Sequence, residues 1–209
     1  VPPVFNFDGS DNLGNAEVLF PMPTRFSDGA GGSSFGYATP TILLPVSVVA
    51  KDPSKPVLLR LKADYAVCEK ICIPANGEAA LAMPTTTHDT SARAIKAGQD
   101  LVPDVVALNS GTSLQIVAFQ KGPEPEQFMV DVRVPKDMNP DLFLEGESPW
   151  FFETKAFTRK AGELGSFLVS VIERSKAADC TGAEVTLTLV AHKHAIEVRT
   201  RLDLALVTH

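Results

Sequence analysis

The stretch "LRLKADYAVCEKICIPANGEAAL", residues 59–81, decides how this chain is read. In its first half Leu59, Leu61, Ala63, Tyr65 and Val67 alternate with Arg60, Lys62, Asp64 and Ala66. A period of two marks a half-buried strand, whose successive side chains leave opposite faces. On such a strand Val67 is expected to point inward, and Cys68 the other way, toward solvent or a covering loop. Cys72 follows four residues later, with Pro74 two places beyond it.

The same alternation recurs outward in both directions. Ile42, Leu44, Val46 and Val48 alternate with Leu43, Pro45, Ser47 and Val49, a strand that Pro45 marks as edge or bulged. After Met83–Pro84 the pattern changes. "THDTSARAIKAGQD", residues 87–100, offers Asp89, Thr90 or Ser91 as an N-cap and Gly98 as a stop, which predicts one short helix. Beyond it, strands are predicted over 114–119 and 128–134, with the turn-rich "KGPEPEQ" between them. Phe128, Val130, Val132 and Val134 make one face of the second of these; Met129, Asp131 and Arg133 make the other. Two further strands are predicted over 150–157 and 167–172. The last pair is the clearest: Val185, Leu187 and Leu189 alternate with threonines, "AHKH" turns, and Ile196, Val198, Thr200, Leu202, Leu204 and Leu206 return. Many short strands with turns between them predict a mainly β protein. The expected layout is a β-sandwich over 1–84, a helical linker over 85–103 and a second β-sandwich-like domain over 104–209.

Composition narrows the function classes. At 209 residues, 44% hydrophobic and 21% charged, the chain can build a core without a metal or disulfide to support it. Its 19 basic and 25 acidic residues leave a formal charge of -6 with no Lys/Arg cluster, so nucleic acid is not an expected partner. The longest apolar run, Thr41–Ala50, is about half of the ~20 residues that span a bilayer, so the sequence reads as soluble. It opens on "VPPVFNF" with neither a signal peptide nor an initiator Met, which reads as a processed or trimmed product.

Three cysteines are too few for a disulfide-dense scaffold and leave one unpaired within the chain. For Cys68 and Cys72 the spacing alone leaves three readings open: a structural disulfide, two free thiols, or a redox pair. Cα atoms four residues apart can come within the roughly 4.4–6.8 Å that a disulfide needs. Such a bond closes a very short loop and adds less stability than a long-range staple, which favours a chemical role. The neighbours Glu69 and Lys70 push a thiolate pKa in opposite directions. A soft-metal site, copper(I) above all, would need further ligands, for which Met83, His88, His192 and His194 are the candidates. His192 and His194 fall at a hairpin tip, where solvated turn residues are the better reading. Cys180, in the polar "SKAADCTGAE", reads as incidental. There is no G-x-S-x-G, no H-E-x-x-H and no phosphate-cradling glycine loop, and no cofactor or metal is expected.

Residues 20–40, "FPMPTRFSDGAGGSSFGYATP", fit neither strand nor helix. Gly29, Gly31 and Gly32 accompany Phe20, Phe26, Phe35 and Tyr37, an unusual aromatic load for a loop. Two readings stand: a lid over something reactive, or aromatics packed on the sandwich.

The order "VPPVFNFDGSDNLGNAEVLFPMPTRF", then "FGY", "ILLPV" and "LRLKADYAVCEKICIPA", resembles the N-terminal periplasmic domain of the DsbD/ScsB group of thiol-disulfide interchange proteins. The resemblance covers residues 1–84; residues 104–209 carry only a vague likeness to the second β region of ScsB-type proteins. It implies an immunoglobulin-like β-sandwich holding a redox cysteine pair beneath a cap loop. In the same way it implies a protein-disulfide reductase domain of the periplasm, with thioredoxin-like periplasmic proteins as partners and a DsbD-type membrane domain as electron donor. Cys72 matches the cysteine that bonds to the partner, Cys68 the one that resolves the mixed disulfide, and Phe26 to Tyr37, with Phe35, the cap. DsbD itself spaces its cysteines more widely; three intervening residues look like the ScsB branch.

Overall fold

A computed structural model of the chain describes residues 3–27, 33–37, 39, 41–68, 71–85, 92–110, 113–124, 126–146, 150–173 and 182–202. The chain divides into one unit over residues 1–100 and a second over 101–209. The first holds β1 (Val4–Asn6), β2 (Leu13–Val18), β3 (Thr24–Ser27), β4 (Ser33–Gly36), β5 (Val46–Ala50), β6 (Val57–Cys68), β7 (Cys72–Met83) and α1 (Ala92–Gln99). The second holds β8 (Asp104–Val105), β9 (Gln115–Lys121), β10 (Gln127–Arg133), β11 (Pro140–Gly146), β12 (Phe151–Thr154), β13 (Thr158–Arg159), β14 (Leu164–Glu173), β15 (Glu184–Ala191) and β16 (His194–Arg201). The expected class is what is found: mainly β, immunoglobulin-like, with one short helix among the described residues.

In the first unit the strands form three small sheets: β1-β6-β7, β2-β5 and β3-β4. The long hairpin of β6 and β7 dominates, in unbroken register from Val57↔Met83 to Cys68↔Cys72. Its base is fastened from several sides. Asp11 bridges Leu58 through two backbone hydrogen bonds of 2.9 and 3.1 Å. The Ser10 hydroxyl accepts the Arg60 N–H at 2.9 Å and donates to the Phe7 carbonyl at 2.7 Å. Asn12, in the left-handed region at φ 57°, accepts the Asp52 N–H at 2.9 Å. Its amide donates to the carbonyls of Asp52 at 2.9 Å and Lys55 at 3.0 Å, so one side chain closes the loop that feeds β6. Asn tolerates that backbone conformation because its short amide can bond locally.

In the second unit β12-β14-β10-β9, with β13 also paired to β14, faces β11-β15-β16-β8 across one core. Phe128, Val130, Val132 and Val134 are all fully buried, as their alternation predicts. They meet Leu187, Leu189 and Val198 from the other sheet in the same core. Phe128 sits edge-on to Phe119 and Phe152, with centroids 6.2 and 6.3 Å away, the geometry that aromatic quadrupoles favour.

Several predicted elements shift. The strand expected from Ile42 begins only at Val46. Gly98 does not stop the helix but lies inside its last turn, buried, where an added Cβ would come within 3.1 Å of the Pro45 ring. The helix's N-cap candidates fall outside the described residues. Of the strand predicted over 150–157 only 151–154 forms, and His194 belongs to β16 rather than to the turn, which is left to His192 at φ 59°. Several strands carry no advance signal, among them β3 and β4, which form within the stretch 20–40 expected to fit neither strand nor helix. Others are β7, rich in alanine with Pro74, Asn76 and Gly77, and β11, whose core run Leu142–Phe143–Leu144 does not alternate. They form because a neighbouring strand supplies the pairing, which propensity does not register.

Candidate functional site: the disulfide at the hairpin tip

Among the described residues, β1 pairs with Lys62, Ala63 and Asp64 of β6. Beyond Asp64, β6 has β7 as its partner and no other among the described residues. Four residues of strand rise about 13 Å, so the hairpin ends in a two-stranded ribbon of that length. At its end Cys68 and Cys72 are directly opposed and joined by a disulfide, with Cα atoms 4.0 Å apart. Opposed residues of an antiparallel pair share a face, so the two sulfurs lie on the same side of the ribbon as Ala66, Pro74, Asp64 and Asn76. Further down that face Lys62 and Glu78 form an exposed cross-strand ion pair at 3.2 Å. Both cysteines are exposed.

The other face of the tip carries Val67 opposite Ile73, and Tyr65 opposite Ala75. Val67 was expected to point inward. It does lie on the face opposite the sulfurs, but it is 60% exposed, Ile73 is 59% exposed, Tyr65 44%, and Ile71 in the connecting loop 73%. Burial along this strand fades from Val57 and Leu59 at the base to the tip, where β7 is its one partner among the described residues. Alternation reports a face, and only tertiary packing decides whether that face is covered.

The aromatic segment forms the β3–β4 ribbon around 28–32, which lie outside the described residues. Phe26 opposes Ser34 and Phe35 opposes Arg25, so Phe26 and Phe35 project from opposite faces. Phe26 is partly buried with its ring against Gly36, where an added Cβ would be 3.5 Å from the ring. Phe35 is 42% exposed, and the Tyr37 hydroxyl donates to the Pro21 carbonyl at 2.9 Å.

Of the metal-ligand candidates, Met83 lies at the far end of β7, eleven residues and about 36 Å of strand from Cys72. That distance removes it from the cysteines. His88, like Cys180, Glu69 and Lys70, falls outside the described residues. Among the described residues no group of three or more His, Cys, Asp or Glu could hold a metal ion.

A small β domain presenting an exposed disulfide between two directly paired strands belongs, by fold and site, with proteins that handle thiols and disulfides. Residues 2–84 match the family described as "Thiol:disulfide interchange protein DsbD, N-terminal". Among solved structures it is similar to the N-terminal periplasmic domain of ScsB from Proteus mirabilis, with a TM-score of 0.66 and 17% identity. The match covers 98% of this chain and 78% of that one, so the likeness of fold extends through both units. No curated protein matches.

Proposed function

We propose that the chain exchanges thiols and disulfides in the periplasm, passing reducing equivalents to thioredoxin-like proteins through Cys68 and Cys72. The observation that carries this reading is an exposed disulfide at the end of a hairpin, within the stretch that matches the DsbD N-terminal family. In the reduced state one thiolate attacks the partner's disulfide, a mixed disulfide forms, and the partner's other sulfur leaves as a thiolate. The second cysteine then attacks the first; the Cys68–Cys72 bond re-forms, and the partner departs with two electrons and takes up protons from water. We assign the attack to Cys72 and the release to Cys68. The periplasmic assignment is supported by the pair itself, since disulfides persist outside the cytoplasm, and by the likeness to a periplasmic domain. Among the described residues no helix is long and apolar enough to cross a membrane; a DsbD-type membrane domain is proposed as the electron donor.

Residues Phe26, Phe35 and Tyr37 are proposed to shield the pair between encounters. Because Phe26 and Phe35 leave opposite faces of their ribbon, the shield uses one of them and not both. Replacing the shielding residue with Ala should speed alkylation of the reduced cysteines, and unchanged rates in all three variants remove the shield from the proposal.

Trapping tests the central claim. Cys68→Ser should accumulate a mixed disulfide with a thioredoxin-like periplasmic protein, Cys72→Ser much less, and Cys180→Ser should change neither. Equal trapping by both single variants overturns the assignment of roles. A bond that only harsh reductants open is structural and overturns the function.

A further inference from the structure

The long hairpin has one edge without a neighbour. β6 is flanked by β1 and by Asp11, whereas β7 ends its sheet among the described residues. Which backbone groups this edge presents can be read from the far side of the hairpin. Leu58 exchanges both backbone bonds with Asp11. The Ser10 hydroxyl accepts the Arg60 N–H at 2.9 Å and reaches the Arg60 carbonyl at 3.3 Å. The even-numbered residues of β6 therefore turn their N–H and C=O groups away from β7. Direction alternates along a strand, so the odd-numbered residues of β6 bond β7, and the register gives them odd-numbered partners. Asn76, Glu78, Ala80 and Ala82 are left with N–H and C=O groups pointing off the sheet. Pro74 shares their phase, so the residue with no N–H stands where β6 asks for none.

We infer that this edge, from Asn76 to Ala82, pairs with itself: two copies of the chain join there as antiparallel strands about a twofold axis at Ala79. The occupant follows from the sequence of the edge. Ala79, Ala80, Leu81 and Ala82 are exposed and uncharged, and small side chains let a second backbone come close. Edge strands are commonly guarded by charge or by proline, and here the prolines stand at the ends, Pro74 before the window and Pro84 after it. An axis at Ala79 sets Pro74 of one copy opposite Pro84 of the other, just outside the paired stretch. Inside it Asn76 meets Ala82 and Glu78 meets Ala80, each pair exchanging both of its backbone bonds. No like charges are directly opposed, and Glu78 has Lys62 of its own chain at 3.2 Å. Neighbouring registers are worse. An axis at Glu78 opposes the two glutamates, while one at Ala80 or Leu81 sets Pro84 against Asn76 or Glu78, where it has no N–H to give.

A strand of unrelated sequence gains backbone bonds from this edge but not this symmetry. Twofold pairing uses each edge once and stops at two copies. Because the strands run antiparallel, the two hairpin tips point away from each other, and both disulfides stay open. The contact is shorter than a permanent interface needs, so the dimer is reversible. None of this depends on the exchange reading.

Sedimentation of the full oxidised chain, from about micromolar to about millimolar concentration, tests the inference. The weight-average mass should rise from that of one chain toward that of two. Two variants act on the edge and leave the β6–β7 bonds in place. Ala80→Pro removes an outward N–H at the phase of Pro74. Ala80→Glu sets a carboxylate against Glu78 of the other copy, while Arg60 lies opposite it within its own chain. Each should raise the concentration of half-dimerisation about tenfold or more, and Ala80→Glu decides alone if the proline variant does not fold. A mass that stays at one chain throughout overturns the inference and leaves the edge to a strand of another protein. So does a dimer that the variants leave unchanged, or a mass that climbs past two chains.

Discussion

The two units of this chain use similar strands to opposite ends. In the second, eighteen buried apolar side chains among the described residues, most of them on two facing sheets, close a single core. In the first, Val57 and Leu59 are the buried hydrophobic side chains among the described residues, and the strands are divided among three small sheets. The difference lies in arrangement rather than in composition, since the first unit also carries Tyr65, Val67, Ile71, Ile73 and Leu81, all exposed. Two broad sheets bury most of their inward residues, whereas the tip of the long hairpin is exposed. A disulfide that must meet another protein's sulfur cannot be enclosed, and elements that bind or move belong to the less stable part of a molecule. Stability is therefore concentrated in one unit and accessible chemistry in the other.

That contrast can be broken by truncating each core. Phe128→Ala removes a fully buried ring at the centre of the second unit and should cost about 3–5 kcal/mol. Trp150, the single tryptophan of the chain, packs against that core, so its fluorescence in a denaturant titration reports this unit. The matching change in the first unit, Leu59→Ala, should cost about 2 kcal/mol, read by hydrogen exchange along β6 and β7. Equal losses at the two sites would mean that the first unit is packed as tightly as the second.

A smaller effect probes the second unit at its periphery. Gly165 lies under the ring of Phe157, and an added Cβ would collide with that ring and sit 2.8 Å from the Thr158 carbonyl. Phe157 is held from beyond by Arg159, whose guanidinium lies 5.1 Å from its centroid and donates to the Met138 carbonyl at 2.8 Å. Gly165→Ala should therefore destabilise by roughly 1–3 kcal/mol, measured by the same fluorescence transition. A neutral result would show that the ring can swing aside.

Reducing the disulfide should matter less still. The bond closes a loop that the hairpin already closes, so the chain-entropy gain of at most about 2 kcal/mol is further reduced. Thermal unfolding followed through Trp150 should not move at all on reduction. A large shift there would show that the second unit depends on the redox state of the first.

The smallest expected effect is a pH dependence in the second unit. Glu145 opens onto a shallow trough lined by Glu184, Thr186, Arg199 and Arg201. The surrounding protein withdraws hydration from its carboxylate, and the charge of Glu197 adds to this, so its pKa is raised. A folded-state pKa above the unfolded value means that the folded chain holds the proton longer. Stability then falls as pH rises from the ordinary carboxylate range through the raised value, and the penalty is complete above it. Because Glu145 keeps access to solvent, Glu145→Gln should recover no more than roughly 0.5 kcal/mol at neutral pH and flatten the slope above pH 4.5. Chemical denaturation at several pH values checks the sign.

Much of the second unit was legible in the order of its residues. The alternation of Phe128, Val130, Val132 and Val134, and of Val185, Leu187 and Leu189, names the buried faces correctly, because both sides of those strands meet a constant environment, core or water. The first unit yielded less. Cys68 and Cys72 announced themselves by type and spacing, and the strand leading to Cys68 by its period. The return strand β7 did not, since alanines, Pro74 and Gly77 carry no strand preference of their own. The sequence by itself determined which residues share a face, where charge is absent and which sulfurs can pair, since these depend on local geometry and chemistry. Only the tertiary structure decided that the disulfide sits at an exposed hairpin tip, and that Val67, written as a core residue, stands in solvent. Coverage of a strand depends on residues far away in the chain, and no period within the strand records where its neighbour ends.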